Sequence, residues 1–284
     1  MEALAAIDGW DVPNPAIAVV GPDGVIASHG ATDRVLRIAS VTKPLVAYAV
    51  MIAVEEGALE LDDAAGPEGA TVRHLLAHTA GYGFEDDADV AFPPGERRVY
   101  SNRGFVELGR HLEASTGLPI EQYLHEAVLE PLGMGSTELR GSPAHAVHST
   151  VQDLTAFATE LLSPRLLAAS TVRQVVEVQF PGLAGVLPGI GRFDPLDWGL
   201  GVERNFARPG HWAGSRVSRG TFGHFGGSGT FLWVDPEASA AAIYLGDRPF
   251  DRWALDAWPS LCDAIVTEIG TTRATTSNSD GATT

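Results

Sequence analysis

Lysine is almost absent from this 284-residue chain, and cysteine and long apolar runs are scarce as well. The composition contains 19 lysines and arginines together, and all of them except Lys43 are arginine. The single cysteine, Cys262, excludes an internal disulfide framework, and its apolar surroundings predict a buried helix rather than a catalytic role. No apolar stretch is long enough and free enough of charge to span a membrane.

Positively charged residues are also few, because 19 lysines and arginines face 36 aspartates and glutamates. The net charge is therefore −17, and the pI is near 4.8. Nucleic acids and anionic membrane surfaces would be repelled, so neither is expected as a partner. The N-terminal segment MEALAAIDGW has no basic region and no long apolar run, which predicts the absence of a signal peptide and a cytoplasmic location. The small, polar and aperiodic residues 271–284 predict a disordered tail.

Hydrophobic periodicity predicts both helices and strands. The segments AIAVV and VIAS flank the turn GPDG and predict a hairpin, whereas the apolar residues of 41–56 surround a helix that should be buried. Thr71 is a predicted helix cap, residues 102–116 form a predicted helix that Gly117 ends, and a further helix begins at Pro119. After residue 185, the segments WGLGVE, FGHFGG, TFLWVD and AAAIYLG predict antiparallel strands, and residues 251–269 a terminal helix.

This order of elements predicts an α/β (α+β) fold, in which helices flank an antiparallel sheet. Residues 1–61 and 166–270 would join into one α/β lobe, and residues 62–165 would form an inserted, all-helical lobe. A cleft between the two lobes is the expected ligand site.

Lys43 lies three residues after Ser40, at the start of the buried helix. The spacing places both residues on one face, where Ser40 is expected to act as the helix N-cap and Pro44 fits the first turn. Burial and the positive end of the helix dipole should both lower the pKa of the amine. Unlike arginine, a buried lysine can act as a base, although an isolated lysine is equally compatible with a leftover surface residue.

In IASVTKPLVAY, LLAHTAGYG, PPGERRVYSN to LEPLGM, and GHFGGSGTFLWVDP, the chain has four segments that resemble the serine β-lactamase and penicillin-binding-protein superfamily, in its class C-like branch. IASVTKPLVAY is similar to the nucleophile motif Ser-x-x-Lys, and LLAHTAGYG to a signature of the branch. The stretch from PPGERRVYSN to LEPLGM is similar to the same branch and carries Tyr100, Ser101 and Asn102 as the second motif. GHFGGSGTFLWVDP is similar to the third motif, and the resemblance covers about residues 15 to 265.

The resemblance implies a β-lactamase/transpeptidase-like fold and a serine hydrolase that needs no metal or cofactor and acts on a small acyl substrate. Ser40 would attack a carbonyl, Lys43 would assist its deprotonation, Tyr100 would carry a proton to or from the leaving group, and Asn102 would hold Lys43 and the substrate. The implied oxyanion site comprises the backbone amides of Ser40 and Gly227, beside Gly226 of the third motif.

The third motif departs from the pattern, because His224-Phe225-Gly226 stands where many relatives have Lys-Thr-Gly. Phe225 lacks the hydroxyl, and His224 is expected to be only partly charged near neutral pH. Recognition of a substrate carboxylate should therefore be weak, which favours esters over β-lactams unless Arg216 and Arg219 restore an anion site.

Several alternatives remain open from the sequence. A β-lactamase or a D-Ala-D-Ala-type peptidase differs only in substrate, and a non-catalytic penicillin-binding sensor would retain the fold. His74 and His78 have a spacing that can bind zinc on a helix, although a structural turn is the preferred interpretation. The acidic run 86–89 is interpreted as a solvated loop, and Trp198, Trp212 and Trp233 as residues beside the cleft.

Overall fold

The computed structural model describes residues 1–204 and 208–280, with side chains through residue 271. The helices are α1 (Thr42–Glu55), α2 (Val72–Leu76), α3 (Asn102–Thr116), α4 (Ile120–Leu124), α5 (Val151–Leu162), α6 (Ala169–Val176) and α7 (Arg252–Asp280). The strands are β1 (Ala16–Gly21), β2 (Gly24–Gly30), β3 (Leu36–Arg37), β4 (Arg98–Val99), β5 (Glu138–Leu139), β6 (Val147–Ser149), β7 (Gly185–Leu187), β8 (Gly191–Phe193), β9 (Phe222–Gly226), β10 (Thr230–Asp235) and β11 (Ala240–Leu245). Two 3₁₀ segments, Glu2–Gly9 and Ala39–Val41, and a π-helical turn, His125–Leu129, complete the described elements.

The main sheet is antiparallel, with five strands in the order β2-β1-β11-β10-β9. The predicted hairpin is confirmed as β1 and β2, and three of the predicted later strands are confirmed as β9, β10 and β11. The prediction of a strand at WGLGVE is wrong, because Trp198 and Glu203 form only isolated bridges there. The antiparallel sheet with surrounding helices confirms the predicted fold class.

Alternate residues of the strands are buried on opposite faces of this sheet. On one face Phe231 and Trp233 pack in a cluster with Trp258 and Cys262 of α7, as expected for a buried cysteine. On the other face Leu232 and its neighbours belong to the larger core that contains α1 and α5. The sheet is therefore an interior layer, and its β9 edge contacts the segment that precedes α1.

Helix α1 is buried along nearly its whole length, from Thr42 to Ala53, as its apolar sequence predicts. It packs against α3 and α4, and α3 ends at Gly117, whose φ of 73° supplies the left-handed cap. Thr71 caps α2 by accepting a hydrogen bond from the His74 amide. These contacts fix the head of α1 in the interior of the molecule.

Two helices, α5 and α7, bear on the predicted division of the chain. Helix α5 packs on β1 and β11, although it falls within the predicted helical lobe 62–165, so this helix contacts the sheet. Helix α7 continues to Asp280, through most of the predicted disordered tail, while residues 281–284 lie outside the described residues. The division into two lobes remains a prediction.

A helix must be both long and apolar to cross a bilayer. Across residues 1–204 and 208–280, none of the helices combines the two properties.

Candidate active site

A cavity of about 610 Å³ opens beside Ser40 at the edge of the main sheet. Its walls are predominantly aromatic and aliphatic, with few charged groups. The lining residues are Ser40, Phe84, Tyr100, Leu187, Pro188, Gly189, Ile190, Trp198, Phe225, Gly227, Phe250, Asp251, Arg252 and Leu255. The cavity therefore brings a nucleophilic hydroxyl and a phenol together in an apolar pocket.

Ser40 lies in the 3₁₀ turn Ala39–Val41 and not at the helix cap. Val41 is the N-cap of α1 and provides no side-chain bond, so the prediction that Ser40 caps the helix is wrong. The physical reason is that the chain enters α1 through this tight turn, with Ala39 at a left-handed φ of 46°. Ser40 is half-buried and lines the cavity instead of capping the helix.

The Lys43 amine has three polar neighbours. Nζ is 2.8 Å from Asn102 Oδ1, 2.9 Å from the Ala144 carbonyl oxygen and 3.4 Å from Ser40 Oγ. A neutral amine has two N–H bonds and one lone pair, and the Asn102 and Ala144 oxygens are acceptors. Once both N–H bonds are donated to them, the lone pair is left to accept the proton of the Ser40 hydroxyl, the third neighbour.

Burial favours this neutral form. The Lys43 side chain is fully buried, and desolvation holds its pKa well below the ordinary value for lysine. The negative charge of Asp86 acts in the opposite direction and raises the pKa. The Asp86 carboxylate itself pairs with His145 at 3.1 Å, so at least one residue of the acidic run belongs to the surroundings of Lys43.

Tyr100 and Asn102 are held where β4 leads into α3. Ser101, between them, caps α3 by accepting a hydrogen bond from the Gly104 amide. The Tyr100 ring lies 4.6 Å from Lys43 Nζ. Burial raises the pKa of the Tyr100 phenol and the charge of Glu203 adds to this rise, while the Ser40 side chain opposes it. Tyr100 is thus a neutral phenol beside the candidate nucleophile.

His224 is on β9, close to Tyr100. Its ring lies 5.6 Å from the rings of Tyr100 and Trp198, and Nδ1 donates to the carbonyl of Phe225 at 2.6 Å. Burial lowers the pKa of His224 to about 3, and the charge of Lys43 contributes to this lowering. The expectation of a partly charged His224 is therefore wrong, because the ring is desolvated between aromatic side chains.

Gly226 and Gly227 follow His224 at the end of β9. A Cβ atom on Gly226 would overlap the carbonyl oxygen of Ile38 and the hydroxyl of Thr230, so glycine lets this strand approach the turn that carries Ser40. Gly227 lines the cavity together with Ser40, and the space beside its Cα is open. This arrangement agrees with an oxyanion site at the two amides, which remains a prediction.

Only some of the other residues that the sequence singles out lie at this cavity. Trp198 lines the cavity, whereas Trp212 and Trp233 are buried in the core beneath α7. Arg216 and Arg219 border separate surface cavities and do not line this one, so they provide no anion site beside Ser40. Arg252 lines the cavity, and its guanidinium pairs with Asp256 at 3.1 Å.

Two kinds of residue around the site carry no recognisable signal in the sequence. The apolar lining residues Phe84, Leu187 and Phe250 lie far apart in the chain, and no pattern in the sequence connects them. Arg98 is fully buried, and its guanidinium donates to the carbonyls of Leu196, Ala77, Gln179 and Phe180. Because Arg98 follows Arg97 in a polar segment, the sequence did not indicate that its guanidinium would be buried and bonded to four carbonyls.

The chain is similar to proteins of one family. The model of the beta-lactamase family matches residues 6–259. The solved structure of a beta-lactamase from Mycobacterium bovis is 51% identical, with a TM-score of 0.92 over 94% of this chain and 99% of that chain.

Two curated relatives match over shorter segments. Penicillin-binding protein 4* from Bacillus subtilis is 26% identical over 152 residues, which cover 41% of this chain and 34% of that protein. Esterase EstB from Burkholderia gladioli is 32% identical over 149 residues, which cover 36% of this chain and 38% of that protein. The matches therefore span little more than a third of the length of either relative.

Proposed function

The chain belongs to the beta-lactamase family of serine hydrolases, and from this premise we propose that it is an esterase. Its substrates would be uncharged esters of small acyl groups, cleaved through an acyl-enzyme on Ser40. The position of Lys43 Nζ beside Asn102, Ala144 and the Ser40 hydroxyl supports the acyl-enzyme. The observation that favours an uncharged ester is the apolar lining of the cavity, with Phe225 and the buried His224 in the third motif.

The reaction proceeds in two halves. Lys43 accepts the Ser40 proton as Oγ attacks the ester carbonyl carbon, and the amides of Ser40 and Gly227 stabilise the oxyanion. The C–O bond to the alcohol then breaks as Tyr100 donates its proton to the leaving oxygen, and Tyr100 regains a proton from Lys43. In the second half, Lys43 accepts a proton from water as the water oxygen attacks the acyl carbon. The bond from that carbon to Ser40 Oγ then breaks, Oγ takes the proton back from Lys43, and the acid is released.

The lining of the cavity supports an ester without a charged acyl group. Phe225 stands where many relatives have the threonine of Lys-Thr-Gly, so the hydroxyl is missing. The centroid of its ring lies 4.6 Å from that of Phe250. His224 is buried and neutral, so it offers no cation to a carboxylate. Among the described lining residues only Arg252 is cationic, and its side chain is largely exposed and paired with Asp256.

A second candidate function is β-lactam or D-Ala-D-Ala peptide cleavage. The Mycobacterium bovis protein, which is 51% identical, is named a beta-lactamase, and one curated relative is a penicillin-binding protein. A non-catalytic sensor is a weaker candidate, because the proposed nucleophile, base and phenol are all present and adjacent. The same acyl-enzyme chemistry would serve all three, so substrate comparison separates them.

The test is hydrolysis of a short p-nitrophenyl ester and of a chromogenic cephalosporin by the same enzyme preparation. We expect ester turnover with kcat/KM at least about 100-fold above that for the cephalosporin, and a loss of about 10³-fold or more in Ser40→Ala. Ser170→Ala, an exposed serine on α6, is the matched control and should behave as wild type.

Faster cephalosporin turnover would replace the esterase with the β-lactamase assignment. If neither compound is turned over, intact-mass measurement of the incubated protein would detect a stable acyl adduct on Ser40. An adduct without turnover would support the sensor, and ester turnover that persists in Ser40→Ala would overturn the proposed nucleophile.

The pH dependence follows from the same assignment. The neutral amine of Lys43 is the active form, so activity should fall as the pH decreases through its lowered pKa. Asp86 favours the charged amine, so Asp86→Asn should move this acidic limb to lower pH. Asp87→Asn, at an exposed neighbour, is the control, and pH profiles of kcat/KM for the three proteins make the comparison. An acidic limb that stays in place in Asp86→Asn would assign it to another group.

A further inference from the structure

His78 is a buried polar side chain that contacts Tyr100 and that the proposed mechanism does not use. It follows α2, is 3% exposed and has a left-handed backbone with φ of 58°. His74, its partner in the possible zinc pair, instead contacts the hydroxyl of Thr71 at 2.9 Å through Nδ1. Within the described residues no group of three or more potential ligands is arranged to hold a metal ion.

The contacts of His78 lie on both sides of Tyr100. The carbonyl oxygen of His78 accepts a hydrogen bond from the Val99 amide at 3.0 Å. Its ring atom Nδ1 accepts one from the Ser101 amide at 3.2 Å. The imidazole also packs against the Tyr100 ring, with centroids 4.5 Å apart. One residue thus holds the backbone before and after the phenol as well as the phenol itself.

These contacts define the tautomer of the ring. Nδ1 accepts a hydrogen bond, so the proton of the neutral imidazole is on Nε2. Burial holds the pKa of His78 well below its ordinary value, and the charge of Lys43 lowers it further, so the accepting form persists. A protonated ring would lose the acceptor that holds Ser101.

The imidazole of His78 lowers the stability of the folded protein, because one of its nitrogen atoms is buried without a partner among the described residues. The centroid of its ring lies 5.1 Å from the Trp198 ring and 5.5 Å from the Phe105 ring, and its buried Nε2 has no hydrogen-bond partner among the described residues. An unpaired buried N–H opposes folding, and an apolar side chain of similar size would avoid this penalty. The contact that an apolar side chain cannot replace is the acceptor at Nδ1.

We propose that His78 is a positioning residue, which acts through Tyr100 by holding the Ser101 amide and the phenol ring so that the Tyr100 hydroxyl faces Ser40 and the leaving group. The inference rests on the proposed hydrolase function and extends it to a residue to which that mechanism gives no role. It requires the effect of His78 on catalysis to depend on the Tyr100 hydroxyl.

Two substitutions separate positioning from mere packing. In His78→Asn the amide oxygen can replace Nδ1, and asparagine tolerates the left-handed backbone. In His78→Leu the volume is retained but the acceptor is lost. We expect His78→Leu to lower kcat by about 100-fold, with KM changed by less than about threefold, because misplacement of a catalytic group has this order of effect. His78→Asn should stay within about fivefold of wild type, and His74→Leu should have no effect on kcat.

A double-mutant cycle provides the second readout. If His78 acts through the phenol, His78→Leu should have little further effect on kcat in a Tyr100→Phe background. The proposal would be overturned if His78→Leu lowered kcat equally in the wild-type and the Tyr100→Phe backgrounds. It would also be overturned if His78→Asn and His78→Leu lost kcat equally.

Amide hydrogen exchange keeps this test independent of turnover. We expect exchange at Ser101 to accelerate by at least about tenfold in His78→Leu but not in His78→Asn, while Asn102, whose amide donates to Phe84 at 2.7 Å, stays protected. Unchanged exchange at Ser101 would overturn the positioning role even if wild type shows no ester turnover. Absence of wild-type turnover with the expected exchange pattern would instead count against the proposed function alone.

Discussion

Lys43→Arg is expected to abolish turnover, with a loss of about 10³-fold or more in kcat/KM, although arginine is also a basic residue. The reason is that arginine remains protonated and has no lone pair to receive the Ser40 proton. The guanidinium is also larger than the amine, which is fully buried between Asn102 and Ala144. Steady-state hydrolysis of a p-nitrophenyl ester measures the effect.

The matched variant is Lys43→Met, which keeps the length of the side chain and removes both the charge and the base. It should be as inactive as Lys43→Arg. Its unfolding temperature should be at least as high as that of Lys43→Arg, because methionine buries no charge. Near wild-type turnover in Lys43→Arg would show that Lys43 contributes electrostatics and not proton transfer. If Lys43→Met is active and Lys43→Arg is not, Lys43 contributes neither electrostatics nor proton transfer.

Tyr100→Phe is expected to reduce the acylation rate by about 100- to 1,000-fold. The substitution removes only the hydroxyl, and the phenyl ring keeps its packing against His78 and Trp198, so the fold should be retained. Because the phenol donates a proton to the leaving oxygen, the loss should be larger for an alkyl ester than for a p-nitrophenyl ester, whose anion leaves without protonation. Rapid-mixing measurements of the first turnover isolate this step.

Tyr244→Phe is the matched control for this prediction. The Tyr244 hydroxyl is also buried without a hydrogen-bond partner among the described residues, but it belongs to the core beneath α7. Its removal should leave acylation unchanged. Equal rates in wild type and Tyr100→Phe with both kinds of ester would assign the proton transfer to Lys43 alone or to water.

Local sequence predicted much of the framework that carries the site. The turn GPDG between two apolar runs gave the β1–β2 hairpin, and Gly117 marked the end of α3. The nearly continuous apolar character of α1 predicted its burial, because no face of the helix has enough polar side chains to meet water. These features depend on neighbours within a few residues.

The sequence was less informative where a position depends on distant partners. Ser40 was expected to cap α1, but the contacts of the preceding turn with β9 accompany a 3₁₀ entry that moves the cap to Val41. His224 was expected to titrate near neutrality, yet packing against Tyr100 and Trp198 excludes the water that its charge would require.

By itself, the sequence determined that a serine and the only lysine lie one turn apart at the head of a buried helix, because both the helical period and the apolar run are local properties. Only the tertiary structure decided which groups surround the amine. Asn102 and Ala144 come from segments 59 and 101 residues away, and the Ala144 contact uses a backbone carbonyl that every residue type possesses. Hydrogen bonds and desolvation act through space, so the partners and the lowered pKa of the Lys43 amine are set by packing and not by the spacing of the motif.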